Sequence, residues 1–355
     1  MDFDGIRGLT GAINTSLADF FHGEAGYLQS VGTELDPVVD ALGHFLLDSG
    51  KRLRPLFAAT GFIGAGGDLT PEIIRATASL ELVHVCALIH DDVMDASDSR
   101  RGAPAIHKQF EALHQTQNLH GSSEQFGTAA AILLGDLALI WAAKALHESG
   151  VAQSAILRCL PFYDEMRVEL MAGQYLDVYE QALASESVER SLKVARYKSG
   201  KYSIERPLHF GASLAPDSDP HLIDIYSNYG LPLGEAFQLR DDVIGVFGEP
   251  EITGKPAGDD LREGKRTVLV AKTLSLASKS QRAEFLANFG QKELDITHVQ
   301  AMRQIIIETG ALNQLELMIN EMTLKAHTAL ISGGITPQAA TLLDEMAVAA
   351  TKRSF

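Results

Sequence analysis

Cysteine is nearly missing from this chain. Cys86 and Cys159 are the two in 355 residues, and both fall inside apolar helical patterns. No disulfide framework is expected, and a reducing, cytoplasmic setting is. The first residues lack a basic segment backed by an apolar run, so no signal peptide is read there. The most apolar window, 129–143, is interrupted by Gly135-Asp136 and reads as too short to span a bilayer, so no stable membrane insertion is expected. Positive charge is scarce as well. Thirty Lys and Arg against 46 Asp and Glu leave a formal net charge of −16, which argues against nucleic acid as a partner. Strand-like alternation, internal repeats of fixed period and low-complexity tracts are all wanting. So is any Ser/His/Asp or Cys/His constellation for nucleophilic catalysis.

What remains is helical periodicity and a large apolar fraction, 46% of residues. The fold class expected is all-α, in one large domain over 1–355. The opening 25 residues are weakly patterned, with an amphipathic stretch from Ile6 to Phe21 expected at the edge. Thr70-Pro71-Glu72 is a helix start, with Thr70 as N-cap and Pro71 in the first position. The pattern then runs unbroken to about Ala96. Lys108 to Gly127 is polar and reads as a surface excursion, and Gly230-Leu231-Pro232 as a kink in a later helix.

The long helix from Pro71 ends in chemistry. His84 to Gly102 runs from apolar residues into Asp91, Asp92 and Asp95, then Asp98, Arg100 and Arg101. Positions 91 and 95 share a helix face one turn apart. Like charges that close repel, and carboxylates at a helix C-terminus also oppose its dipole. Oxygen ligands with no Cys or His framework favour a hard cation, Mg2+ before Ca2+, which completes its shell with water and phosphate oxygens. Guanidinium forks suit the same phosphates. Alone, the stretch reads equally as a solvated acidic helix end.

A second apolar helix closes on Gln238, Asp241 and Asp242. The loop after it carries Lys255 and Lys265 among glycines, and Tyr197-Lys198-Ser199-Gly200-Lys201 lies between the clusters. Taken singly, Lys198 and Lys201 read as solvated, the loop as a charged surface turn, and His84, His90 and His107 as core histidines. Together, two acidic helix ends and several Lys/Arg-with-Gly segments suggest a bundle gripping a metal–diphosphate group from two walls.

At this point the chain resembles the trans-isoprenyl diphosphate synthases (polyprenyl synthetases), from about Gly50 to the C-terminus. The resemblance rests on Gly50-Lys51-Arg52-Leu53-Arg54-Pro55, the first aspartate motif with Arg100 to His107, Gly135-Asp136, Gly173-Gln174 with Asp177, Lys198-Ser199-Gly200, Gln238 with Asp241-Asp242, and Thr253 to Lys265, in family order. It implies that Asp91 and Asp95 bind two Mg2+ ions and Asp241 a third, with Asp92 and Asp242 in support. It implies that Arg100, Lys198 and Lys255 hold an allylic diphosphate, and that Lys51, Arg54, His84 and Arg101 hold isopentenyl diphosphate. Ser199 and Gln238 would line the space where charge develops, and Lys265 would close the loop. The resemblance also implies a single large helical bundle around a central cavity, and a homodimer.

Product length is expected to depend on side chains one turn before Asp91, since a turn is about 5.4 Å, near one isoprene unit. Those residues, Cys86 and Ala87, are small. Family members that stop at fifteen carbons usually carry an aromatic there, so a longer product is implied, and the match to actinobacterial-type geranylgeranyl diphosphate synthases suggests twenty carbons. A deeper floor could involve Leu80, Val83 or side chains of a neighbouring helix. Longer polyprenyl products, a terpene cyclase and a silent partner subunit are the rival readings. One departure stands out: Gly245 occupies the place of a third aspartate in the second motif.

Overall fold

The computed structural model describes residues 3, 5–48, 50–250, 256–291, 293–331 and 333–352. Those residues are helical almost throughout, as the periodicity predicts. In order the helices are α1 (Gly5–Val31), α2 (Asp36–Leu47), α3 (Leu53–Gly64), α4 (Pro71–Met94), α5 (Ile106–Thr116), α6 (Ser123–His147), α7 (Gln153–Ala182), α8 (Val188–Val194), α9 (Arg206–Leu214) and α10 (His221–Phe247). Then come α11 (Asp259–Glu263), α12 (Val268–Leu276), α13 (Lys279–Asn288), α14 (Ile296–Glu308), α15 (Ala311–Ile331) and α16 (Pro337–Thr351). A two-stranded ribbon pairs Ser99 with Pro104 and Arg100 with Ala103.

The chain divides into two compact units. One comprises Met1–Tyr163, Pro207–Asp219 and Ile335–Leu342; the other comprises Asp164–Arg206, Pro220–Gly334 and Leu343–Phe355.

The first unit is built on α4. The Thr70 side chain caps it, accepting from Ile73 N at 3.4 Å, and Pro71 follows at a position that needs no N–H. Its middle turns are apolar on nearly every side and are wrapped accordingly. Every residue from Ala76 to Val83 is buried. The first 25 residues are more than an edge. Leu9, Ile13, Leu17 and Phe21 recur every fourth residue of α1, and all are buried. Helix α3 meets α9 almost backbone to backbone: a Cβ at Gly211 would lie 1.8 Å from Ala58 O.

Residues 108–127 are also more structured than their polarity suggests. Ile106, Phe110 and His114 form an i, i+4, i+8 stripe buried on α5, and Phe126 packs on His114 with ring centroids 5.3 Å apart. The apolar window in α6 needs correction as well. Gly135 does not break the helix, since an interior glycine costs only about 1 kcal/mol. Helix α6 runs 25 residues, with a best window of mean hydropathy 1.8, and so meets the length and apolarity of a bilayer span. Helix α4 meets them too, but 72% of its window is buried as core, against 39% for α6. On α6, Phe126, Ile132, Leu133 and Ile140 stay exposed.

The second unit centres on α10, which stays helical through Pro232. Its buried face, Leu239, Val243 and Val246, shares a core with Leu269, Phe285 and Met302. Between α8 and α9 the backbone remains helical but widens to a π-helix over Ala195–Glu205.

Candidate active site

In the first unit the acidic helix end lies at the foot of an open stripe. From Ala76 to Ile89 of α4, the residues short of full burial are His84, Ala87 and Leu88, and the stripe continues to Asp91 and Asp95. That 3–4 spacing is one face of a helix. Asp92 points elsewhere and is buried. The ribbon turns at Arg101 (φ 55°) and Gly102 (φ 78°), the pair of positive φ values a tight two-residue hairpin requires. This turn brings Arg100 back to α4, where its Nε donates to Asp92 Oδ1 at 2.8 Å and its Nη2 to Asp91 Oδ2 at 3.3 Å. Arg101 lies over the Phe45 ring, 5.5 Å from its centroid, and donates to Phe45 O.

Cations gather on the same side. Burial, and then the charges of Arg54, Arg101, Arg100 and Arg52, hold the His84 imidazole well below its usual pKa. It therefore presents a neutral ring beside several guanidinium groups. Lys51 is exposed ahead of α3, and Arg54 is buried in its first turn. Cys86, by contrast, is fully buried with its Sγ 3.8 Å from His90 Nδ1. Val83 is also fully buried.

In the second unit an equivalent stripe runs along α10. Phe237, Gln238, Asp241 and Gly245 are not fully buried, while Leu239, Arg240, Asp242 and Val243 are. Gln238 Nε2 donates to Asp242 Oδ1 at 2.8 Å. Burial raises the Asp242 pKa well above the usual carboxylate range, and Asp260, Asp241 and Asp177 add to the rise against that hydrogen bond. Lys198 lies on the π-helix and donates to Asp177 Oδ2 on α7 at 2.6 Å. Two close approaches seat this segment. A Cβ at Gly173 would lie 2.2 Å from Lys198 N, and one at Gly234 would lie 2.5 Å from Gly200 O. Such widened turns disturb regular side-chain spacing, often at functional positions. Ser199 is partly exposed beside Lys198. Lys201 is not the solvated lysine its sequence suggests: it is tied to Glu169, which also accepts from Arg206 Nε at 2.7 Å. Lys265 Nζ lies 2.8 Å from Glu263 and 3.8 Å from Asp260. Lys255 lies outside the described residues.

Asp260 is a residue the sequence reading passed over. A Cβ built on Gly245 would lie 2.0 Å from Asp260 Oδ2. The loop carboxylate thus fills the space that a third motif aspartate would claim, which accounts for the glycine. Asp177 stood in a recognised motif without a role, and now has one as the partner of Lys198.

These donors fit a hard divalent ion. All are oxygens, and Asp242 sits in an excess of negative charge that such an ion relieves. Among the described residues, no three His, Cys, Asp or Glu side chains form a closed metal-binding group. Mg2+ is ordinarily held by one or two carboxylates plus substrate phosphates, and asks for no such cage.

Residues 36–306 match the polyprenyl synthetase family. The chain belongs to that family. Among polyprenyl synthetase relatives, the geranylfarnesyl diphosphate synthase of Aeropyrum pernix is 31% identical over 277 residues, 77% of this chain and 80% of that one. A short chain isoprenyl diphosphate synthase of Methanocaldococcus jannaschii is 32% identical over 279 residues, 76% of this chain and 79% of that one. Among solved structures, a geranylgeranyl pyrophosphate synthase from Corynebacterium glutamicum, complexed with isoprenyl diphosphate and magnesium, superposes with a TM-score of 0.93. It is 39% identical, and the match covers 100% of both chains. The all-α architecture expected from the periodicity is therefore that of the polyprenyl synthetases.

Proposed function

We propose that this polyprenyl synthetase is a Mg2+-dependent chain-elongating enzyme of isoprenoid biosynthesis, joining isopentenyl diphosphate to an allylic diphosphate to yield all-trans geranylgeranyl diphosphate and pyrophosphate. One observation carries the reading. The open stripe of α4 runs from His84 through the apolar Ala87 and Leu88 to the carboxylates Asp91 and Asp95, which suits an apolar chain whose diphosphate would meet cations held by that pair. Dimethylallyl, geranyl and farnesyl diphosphates are all candidate primers.

The chemistry asks for charge control more than for a protein nucleophile. The allylic C–O bond breaks, its electron pair leaves with pyrophosphate, and the isopentenyl double bond forms the new C–C bond. The resulting cation loses a proton, which pyrophosphate accepts. Asp91, Asp95 and Asp241 would hold three Mg2+ ions, with Asp92 and Asp242 behind them; the ions supply neutralisation of the diphosphate. Arg100, Lys198 and Lys255 would hold the allylic diphosphate, with Lys265 closing over it. Before substrate arrives, Asp92 and Asp177 keep Arg100 and Lys198 in place. Ser199 and Gln238 would line the developing charge, where fixed dipoles cost no reorganisation. Lys51, Arg54, neutral His84 and Arg101 would hold isopentenyl diphosphate. The reaction would take place in the cytoplasm.

The test is a product assay with isopentenyl diphosphate, Mg2+ and each primer, read by mass. Twenty carbons are expected. A longer product keeps the mechanism and moves the floor of the apolar track, an outcome the geranylfarnesyl relative makes concrete. Failure to elongate any primer would overturn the reading in favour of a cyclase or a silent subunit.

A homodimer is proposed as well. Contiguous exposed apolar surface marks interfaces, and α6 presents Ile132, Leu133 and Ile140 to solvent. On α7, Tyr175 and Tyr179 stack in the open with ring centroids 6.2 Å apart. Sedimentation should report twice the chain mass of 38.3 kDa. A single chain mass at micromolar concentration would remove the proposal.

A further inference from the structure

Arg52 stands between Lys51 and Arg54, two of the expected diphosphate ligands, and by sequence it is one more cation in the run. Its placement is different. It is 3% exposed, and its backbone takes the left-handed conformation, φ 50°, at the N-cap of α3. That conformation is costly for a residue with a long side chain and persists only where its surroundings enforce it.

The enforcement is visible. Nε donates to Asn14 Oδ1 at 2.8 Å on α1, Nη2 to Leu46 O at 2.7 Å on α2, and Nη1 to Glu81 Oε1 at 2.9 Å on α4. Both side chains of the Arg52–Glu81 pair are 2% exposed. A buried pair of this kind often fails to repay its desolvation, so it is weak evidence of a purely stabilising role. Left-handed Arg52 and helical Leu53 separate exposed Lys51 from Arg54 in the first helical turn, so fixing the Arg52 dihedral fixes how those two cations stand to each other.

Glu81 reaches further than Arg52. It lies one turn before His84 on α4, and its Oε2 is buried with no hydrogen-bond partner among the described residues. Burial weakens the protonated form of Arg101, and Glu81 opposes that loss, against the like charges of Arg52, Arg100 and Arg54. One buried carboxylate thus stands among groups that would otherwise repel one another.

We propose that Arg52 and Glu81 are positioning residues, a buried strut that presets Lys51, Arg54, His84 and Arg101 for isopentenyl diphosphate while touching no substrate. The proposal rests on the reading of those four residues as its ligands, and extends it to two that no motif assigns a role.

Glu81→Gln keeps the shape and removes the charge; Arg52→Lys keeps the charge and loses the fork that bonds three helices. Each is expected to raise KM for isopentenyl diphosphate about tenfold or more, with kcat and the allylic KM changed less than about threefold, the pattern of lost ground-state binding. Calorimetry with isopentenyl diphosphate alone should show the same loss for Glu81→Gln, and circular dichroism should stay that of the parent. A general structural role would shift both substrates together, and that result overturns the strut. So does unchanged isopentenyl diphosphate binding in a folded Glu81→Gln. If either variant fails to fold, the other decides. Should the parent chain itself neither bind nor elongate isopentenyl diphosphate, the functional reading falls, and the strut with it.

Discussion

Asp91→Ala and Asp241→Ala should each lower turnover by about a thousandfold, the scale set by removing one preorganised charge-stabilising group, while the melting temperature stays near that of the parent. The two halves of this expectation have separate causes. Asp91 and Asp95 are like charges one turn apart, a repulsion of about 0.2–0.5 kcal/mol. They also crowd the C-terminal end of α4, where the dipole disfavours carboxylates by about 0.3–1 kcal/mol. Deleting Asp91 therefore relieves the fold, and Arg100 keeps its 2.8 Å bond to Asp92. Asp241 is exposed, whereas Asp242 beside it is buried, so alanine at 241 leaves the packed face of α10 intact. What disappears in both cases is a carboxylate short of full burial, the group that the proposed function assigns to Mg2+. Turnover within threefold of the parent in either variant would sink the metal assignment, whatever the melt does.

The same asymmetry explains what could be read before the structure and what could not. Asp91, Asp95 and Asp241 stood out because carboxylates at the end of an apolar helix work against helix stability, and the structure leaves all three short of full burial. Helix α4 was legible from Thr70-Pro71 and an unbroken apolar run. Helix α1 was not, since an amphipathic stripe tells which face is covered but not how much core covers it; Leu9, Ile13, Leu17 and Phe21 turn out fully packed. The polar residues 108–127 hid α5 because its buried stripe includes His114, which reads as surface. Arg52 and Lys201 share one obscurity. A charged side chain looks solvated until its partner is found, and Glu81 and Glu169 lie 29 and 32 residues away in sequence. Asp260 could be found only in space, since nothing along the chain links it to the vacancy at Gly245.

Ala87→Phe is expected to move the product from twenty carbons to fifteen, and the structure separates this position from its neighbour. Cys86 and Ala87 look alike in sequence, both small and both about a turn before Asp91. On α4 they face differently. Cys86 is fully buried; burial, then the charge of Asp136, push its thiol up to about 12. A phenylalanine there would overpack a filled core at a cost of about 1–3 kcal/mol, and any change in product would be confounded with lost stability. Ala87 stays partly exposed on the stripe that leads to Asp91. A ring at that position enters accessible space, about 5.4 Å along the helix from the acidic pair, and stops the chain there. Val83, one turn deeper by i−4, is buried and off the stripe; the residue one turn deeper on it is His84. A fifteen-carbon product with an unchanged melt would place the floor of the track within a turn of Asp91 when an aromatic is supplied. An unchanged twenty-carbon product would show that the growing chain leaves α4 before reaching residue 87, and that a side chain of another helix sets its length.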